Sequence, residues 1–133
     1  MNFSTYFNSR KPLSIKEFAD TFVFDNEMRV YGMISPKGNI YVCPYTEHVT
    51  LLYKLPELIQ DPNYENAIAN NVYEKALLLG WSRFAFYHST DTLEIDTKES
   101  TKAKMASFYL KFTQVLKDIL DVPNISIKVV IDR

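Results

Sequence analysis

Residues 83–96, RFAFYHSTDTLEID, hold two runs in which large apolar side chains recur at every second position, on either side of a short polar segment. Phenylalanines alternate with other residues in the first run, and Leu93 and Ile95 alternate with polar residues in the second. A period of two is typical of strands that bury one face. The stretch therefore predicts a β-hairpin with strands over 83–87 and 92–96.

Further strands are predicted on both sides of this hairpin. Residues 29–34 and 39–43 flank the loop 35–38, SPKG, whose proline and glycine are typical of a turn that closes a hairpin. Pro44 is expected to end the second of these strands, because proline lacks the N–H that a ladder uses. At the end of the chain, residues 125–131, ISIKVVI, alternate as a half-buried strand does.

A capping box predicts the start of the first helix. Ser14 precedes Glu17 by three residues, and Leu13 and Phe18 occupy the two positions of a hydrophobic staple. We expect this helix to carry Phe18 and Phe22 into the core.

Two helical patterns follow the first hairpin. Apolar residues recur at helical spacing within 46–59, although Pro56 is expected to break or kink this segment. Residues 64–79 form a more regular pattern, which Gly80 is expected to cap. Trp81 follows the glycine and can fold back onto the last turn of that helix.

The longest helical pattern follows the second hairpin and runs to about Leu120. Asp96 and Glu99 are predicted to be its capping pair. The segment 121–124, DVPN, is expected to end it.

This order of elements predicts a single domain of the α+β class over residues 1–133. Two hairpins and the final strand would form an antiparallel sheet of about five strands, with the helices packed on one face. Residues 1–12 precede the first helix and are interpreted as a loose N-terminal arm or a strap over the body.

Composition narrows the class of function. Fifteen Lys and Arg face sixteen Asp and Glu, for a net charge of -1, so the basic surplus that drives binding to phosphate backbones is lacking. One cysteine excludes an intrachain disulfide, and no window reaches the length of a membrane span. We therefore expect a cytoplasmic protein with no cofactor, and with neither a membrane nor a nucleic acid as its partner. Nine Phe, nine Tyr and one Trp indicate either a dense core or a contact surface.

Cys43, Glu47 and His48 are the first candidates for chemistry. A thiolate and an imidazole are zinc ligands, but a structural zinc site needs four ligands and the chain offers no second close pair. Cys43 could instead be a nucleophile activated by His48 or by His88, the other histidine. A strand end does not lower a thiol pKa as a helix N-terminus does, so a buried structural Cys43 is favoured.

A second group of candidates would form a binding surface. His48 lies in the first turn of a predicted helix, where it either ties that helix to the hairpin or is presented to a partner. Trp81 and Arg83 flank Ser82, so a strand there would place both on one face. The tract 82–88, SRFAFYH, is similar to the aromatic strand of an RNA-recognition motif, but Arg83 replaces the expected glycine and the element order differs.

The chain resembles a group of small uncharacterised proteins of tailed bacteriophages. The resemblance covers residues 32–83 and comprises the hairpin Gly-x-Ile-x-Pro-x-Gly at 32–38, then His48, then Gly-Trp-x-Arg at 80–83. It implies a viral accessory or virion-associated protein, located in the host cytoplasm or in the virion, and it brings no established activity. It would also group His48, Trp81 and Arg83 into one cluster.

We therefore expect a small interaction module that binds another protein, host or viral, through an aromatic surface containing Tyr45, His48, Trp81 and Arg83. One alternative is a small hydrolase or nuclease that uses His48 or His88 as its base and Arg83 to hold a phosphate-bearing substrate. Another is a structural component of a virion or complex that associates with itself.

Overall fold

A computed structural model of the protein describes residues 11–25, 29–43, 52, 55–60 and 72–131. Its helices are α1 (Ile15–Asp25), α2 (Pro56–Ile59), α3 (Val72–Leu78) and α4 (Glu99–Leu120). Its strands are β1 (Arg29–Ile34), β2 (Ile40–Cys43), β3 (Ser82–Tyr87), β4 (Thr92–Thr97) and β5 (Ser126–Ile131). Residues 1–10 of the predicted arm, Pro44, and most of the two helical patterns between the hairpins lie outside the described residues.

The described strands form one five-stranded sheet in the order β2-β1-β3-β4-β5. The first four strands pair antiparallel, and both predicted hairpins are confirmed. The α+β class and the five strands are also confirmed. One detail differs from the prediction, because β5 pairs with β4 in parallel. Along the chain, the long helix α4 follows β4 and precedes β5. It carries the chain back to the end of the sheet at which β4 begins, so β5 runs in the same direction as β4.

Helices α1 and α4 pack together on one side of the sheet, here called the front face. Alternate residues of β3 and β4 project to this side and are buried, and they include Phe84, Phe86, Leu93 and Ile95. From α1, Phe18 and Phe22 join the same cluster as predicted. The rings pack edge to face or tilted, which is the geometry that aromatic pairs prefer.

The centre of the front face is a close approach between Phe84 and Gly32. These residues are register partners on β3 and β1. A Cβ at Gly32 would lie 2.6 Å from Phe84 Cε1 and 2.2 Å from the Tyr41 carbonyl oxygen. Only glycine leaves room for both, so the ring lies directly over the backbone of β1.

The opposite side of the sheet, here called the back face, carries a second apolar cluster over β1 and β2. Met33, Tyr41 and Cys43 project to this side and are buried together with Trp81 and with apolar side chains from 52–76. The prediction that helices pack on one face therefore held only for the two long ones, since α2 and α3 contribute to this second cluster. The physical reason is that β1 and β2 are apolar at both parities, so both of their faces must be covered.

Two of the three predicted helix caps are confirmed. The Ser14 N–H donates to Glu17 Oε1 at 3.1 Å, and the Glu17 N–H donates to Ser14 Oγ at the same distance. Gly80 has a φ of 98° after α3, and the Trp81 N–H donates to the Ala76 carbonyl oxygen at 3.0 Å.

The predicted capping pair of α4 is wrong. Lys98 is the N-cap residue of this helix and makes no side-chain cap hydrogen bond. Asp96 still belongs to β4 and pairs there with Arg83. The Asp96 carboxylate therefore forms a cross-strand ion pair and does not cap the helix as predicted.

We predict that Gly32→Ala lowers the free energy of unfolding by about 3 kcal/mol, because the new methyl group overlaps a backbone oxygen that cannot move independently. Chemical denaturation measures this change. Gly38→Ala is the matched control, since its Cβ would meet nothing closer than 3.4 Å. That control should lose only about 1 kcal/mol from its left-handed backbone. Equal losses in the two variants would contradict the close approach.

We also predict a pH-dependent contribution from Glu17. Hydrogen bonds from the backbone and side chain of Ser14 hold the pKa of this carboxyl below its ordinary value of 4.5. Its ionised form is therefore favoured by folding, so the contribution is fully present above the ordinary pKa and is lost as the pH falls through the lowered one. The wild type should be more stable than Glu17→Gln at neutral pH, and this advantage should shrink in acid. A difference that does not change with pH would contradict the role of the charge.

Candidate functional site

The back face changes character from one edge of the sheet to the other. Along one row of register partners, Cys43 on β2 lies beside Tyr31, then come Ala85 and Glu94, and the row ends at Lys128 on β5. Cys43 is buried in the second cluster, whereas Tyr31, Ala85 and Glu94 are half-buried and Lys128 is exposed. The back face from Tyr31 of β1 across β3, β4 and β5 therefore carries polar side chains and reaches solvent, and we call this region the open face.

A shallow cavity of about 110 Å³ lies on the open face. Residues from three strands line it: Tyr31, Arg83, Phe84, Ala85, Tyr87, Glu94 and Asp96. Ala85 is at the centre of this set, since its register partners are Tyr31 and Glu94. Its methyl side chain leaves the depression that the larger neighbours surround.

Two tyrosines form one wall of the cavity. The rings of Tyr31 and Tyr87 pack edge to face, with centroids 6.1 Å apart and planes at 88°. They come from β1 and β3, whose pairing is fixed by the core on the front face. The strands thus hold the two rings in a defined arrangement before any ligand arrives, which lowers the entropy lost on binding.

Arg83 forms the opposite wall and is held from two sides. Its guanidinium forms a salt bridge with Asp96, its register partner on β4. Its Cζ also lies 5.1 Å from the centroid of the Tyr73 ring on α3, within the range of a cation–π contact. These two contacts hold the guanidinium in a defined orientation at the wall of the cavity.

This arrangement suits recognition by contact. Tyrosine and arginine are the residue types that most often carry binding energy at protein interfaces, because each joins a large rigid surface to hydrogen-bonding groups. The cavity is too small and too shallow for a drug-sized molecule, whose pockets measure about 300 Å³ or more. It is better suited to a single side chain presented by a larger partner.

The structure separates the residues predicted to form a binding surface. Trp81 is only 1% exposed, and its ring packs against Tyr41 in the second cluster with centroids 5.8 Å apart. It therefore belongs to the core and contributes no exposed ring. Arg83 does reach the surface, with its side chain 36% exposed. Tyr45 and His48 lie outside the described residues.

Arg83 and His88 do not form a joint catalytic site. His88 follows the end of β3, and its ring stacks on Phe86, which projects to the front face. Arg83 projects to the back face near the other end of the same strand, about 16 Å away along the backbone. A base and an anion-binding group must both reach one substrate, which this placement prevents.

Cys43 is buried, and its thiol belongs to the second cluster. Within the described ranges, no group of three or more His, Cys, Asp and Glu side chains is placed to hold a metal ion. The helices that the structure describes include none of the length and apolar character that crossing a bilayer requires.

Sequence reasoning missed Tyr31, Ala85, Tyr87 and Glu94. For Ala85, Tyr87 and Glu94 the signal was present in the alternation, since each occupies the parity opposite to that of the buried residues of its strand. Tyr31 shares its parity with the buried Met33, so alternation did not mark it. What the sequence could not supply was the register that brings β1 beside β3, because 47 residues separate Ile34 from Ser82. Without that pairing, Tyr31 and Tyr87 have no reason to be associated.

The chain matches no protein-family model, no curated protein and no solved structure. The resemblance to tailed-phage proteins therefore stays a prediction that depends on the short motifs alone.

We predict that Trp81→Ala lowers the free energy of unfolding by about 3 to 5 kcal/mol, because it empties the centre of the second cluster. Tyr87→Ala, at the end of the strand that follows Trp81, is the comparison, and it should cost markedly less because that ring is half-buried. Thermal and chemical denaturation of the two variants would measure this difference. Similar losses, or a Trp81 variant as stable as the wild type, would contradict a core role for the tryptophan.

Proposed function

We propose that this protein is a binding module that recognises another protein through the open face. The observation that supports the proposal best is the rigid pair Tyr31 and Tyr87, set beside Arg83 around a depression floored by Ala85. These are hot-spot residue types on a scaffold of paired strands. The residues that line the cavity include no serine, threonine, cysteine or histidine, so recognition explains this surface better than nucleophilic catalysis does.

The chemistry of the open face indicates what kind of protein would bind. The cavity has two tyrosine rings on one side, and Glu94 and Asp96 contribute carboxylates. Asp96 is already paired with Arg83, which leaves Glu94 as the acid with the fewest described partners. A partner that inserts an apolar or basic side chain between the rings and Glu94 would match both features.

The resemblance to tailed-phage proteins also indicates where the protein would act. It supports a phage-encoded accessory protein that acts in the host cytoplasm or as part of the virion. The partner would then be a host or viral protein, and recovery from uninfected host cells would identify a host protein.

The test is affinity capture from a lysate of the native host, followed by titration of the captured protein with purified components. The double variant Tyr31→Ala/Tyr87→Ala should bind at least about tenfold more weakly than the wild type, because it removes both rings. Leu110→Ala is the matched control, since this leucine is an exposed apolar residue of α4 outside the open face.

Melting temperatures of all three proteins must accompany these measurements. A partner lost by the double variant, retained by Leu110→Ala, and unaffected by differences in stability would support the proposal. A partner retained equally by the double variant, or no partner captured by the wild type above the level of empty resin, would contradict it.

A further inference from the structure

The two edges of the sheet differ in how they are covered. At the β2 edge, Leu13 and Ile40 exchange two backbone hydrogen bonds of 2.9 and 2.8 Å, so the segment that leads into α1 covers part of that strand. At the other edge, no segment within the described part of the chain pairs with the outer side of β5. An uncovered edge strand is a template for pairing with another strand.

The backbone of β5 determines which groups that edge presents. The Ser126 N–H donates to the Asp91 carbonyl oxygen at 2.9 Å, toward the β4 side. Successive residues of a strand direct their N–H and C=O groups to opposite sides. Lys128 and Val130 therefore bond to β4 as Ser126 does, and the groups of Ile127, Val129 and Ile131 point outward.

The side chains of β5 give its outer edge little protection. Natural edge strands are guarded by charged side chains, especially lysine, by proline or by a bulge. The described strand has one charged residue, Lys128, and no proline. Ile127 is 39% exposed and Val130 is 38% exposed, so the strand presents apolar surface on both of its faces.

We propose that a second copy of this chain pairs with β5 in antiparallel orientation, so that two sheets join into one across a twofold axis. This strand is complementary to a second copy of itself, whereas a different partner would need a matching row of apolar residues. A twofold axis through Val129 would set this residue opposite itself and Ile127 opposite Ile131 of the second copy. The outward-pointing N–H and C=O groups of each copy then pair with those of the other copy, which gives about six interstrand hydrogen bonds.

The charge of Lys128 favours the register with the axis at Val129 over the register with the axis at Lys128. With the axis at Val129, Lys128 lies opposite Val130 of the second copy and keeps Glu94 as its neighbour on β4. With the axis at Lys128, the two lysines would lie directly opposite each other, which is destabilising in a sheet. That register would also leave Ile131 without a partner among the described residues of the strand, for about four hydrogen bonds. The axis at Val129 is therefore favoured over the axis at Lys128.

The size of the contact determines how the dimer should behave. A single pair of strands buries less surface than the roughly 1,600 Å² of a stable complex. The association should therefore be reversible and dependent on concentration. Sedimentation equilibrium and light scattering of the full chain would measure it directly.

Two cysteine variants test which residues face each other across the twofold axis. In Val129→Cys the new thiols face each other across the axis, at a Cα separation of about 5.5 Å that a disulfide can span. In Lys128→Cys the thiols face Val130 instead, although Lys128 is the more exposed position. Under mild oxidation, Val129→Cys should form a linked dimer at least about tenfold faster than Lys128→Cys. The native Cys43 is buried and serves as the background in both variants.

Val129→Pro tests the hydrogen bonds without breaking the fold. The N–H at this position points outward, so its loss removes no bond to β4. This variant should keep the wild-type circular dichroism spectrum and weaken dimerisation by at least about tenfold, because both copies lose a donor on the axis.

A concentration-dependent dimer, selective linking through residue 129, and a monomeric proline variant would together support the proposal. A wild type that stays monomeric at every accessible concentration would overturn it, as would linking through residue 128 that is as fast as through 129. Dimerisation that survives Val129→Pro would also overturn it. Val129 packs against the front face and Lys128 does not line the cavity beside Tyr31, Tyr87 and Arg83, so these outcomes are independent of the proposed protein partner.

Discussion

The contact between Phe84 and Gly32 is the constraint on which the rest of the structure depends. The ring lies over the β1 backbone and also packs edge to face against Phe18 of α1 and Phe112 of α4, with centroids 6.2 and 5.2 Å away. One side chain therefore joins two strands and both long helices. Because a Cβ at residue 32 would meet a carbonyl oxygen, β1 can lie beneath this ring only with glycine there.

The same strand that buries Phe84 also builds the open face. Since side chains alternate along β3, the burial of Phe84 and Phe86 on the front forces Arg83, Ala85 and Tyr87 to the back. The packing of the core thus determines the geometry of the candidate site, even though Phe84 is the one residue of the front-face cluster that also lines the cavity. A surface placed on paired strands inherits their rigidity, which suits recognition more than large conformational change.

The parallel entry of β5 connects the open face to the proposed dimer. Lys128 and Val130 belong both to the edge strand β5, beside which no other described strand lies on its outer side, and to the back face. Pairing of two copies at β5 would bring their open faces together on one continuous sheet. A partner with two equivalent binding segments could then be held by both copies, which raises its overall affinity without any new type of contact.

The sequence by itself determined the features that depend on residues close together in the chain. The period of two in β3 and β4, the capping box of Ser14 and Glu17, and the cap at Gly80 each involve neighbours within about one turn or one strand. These features therefore follow from local sterics and hydrogen bonding, whatever the rest of the chain does. The exception was Asp96, where a cap and a cross-strand ion pair competed for one carboxylate and the ion pair with Arg83 prevailed.

Only the tertiary structure decided which strands are neighbours, which faces are covered and where the site lies. The direction of β5, the burial of Trp81 and the meeting of Tyr31 with Tyr87 all depend on contacts between residues far apart in sequence. The alternation of apolar and polar residues shows which face of a strand is buried but not which layer covers it. The reason is that an apolar side chain is stabilised by any apolar neighbour. The register among β1, β3 and β4 resolves this ambiguity, since steric fit over Gly32 is specific in a way that hydrophobic burial is not.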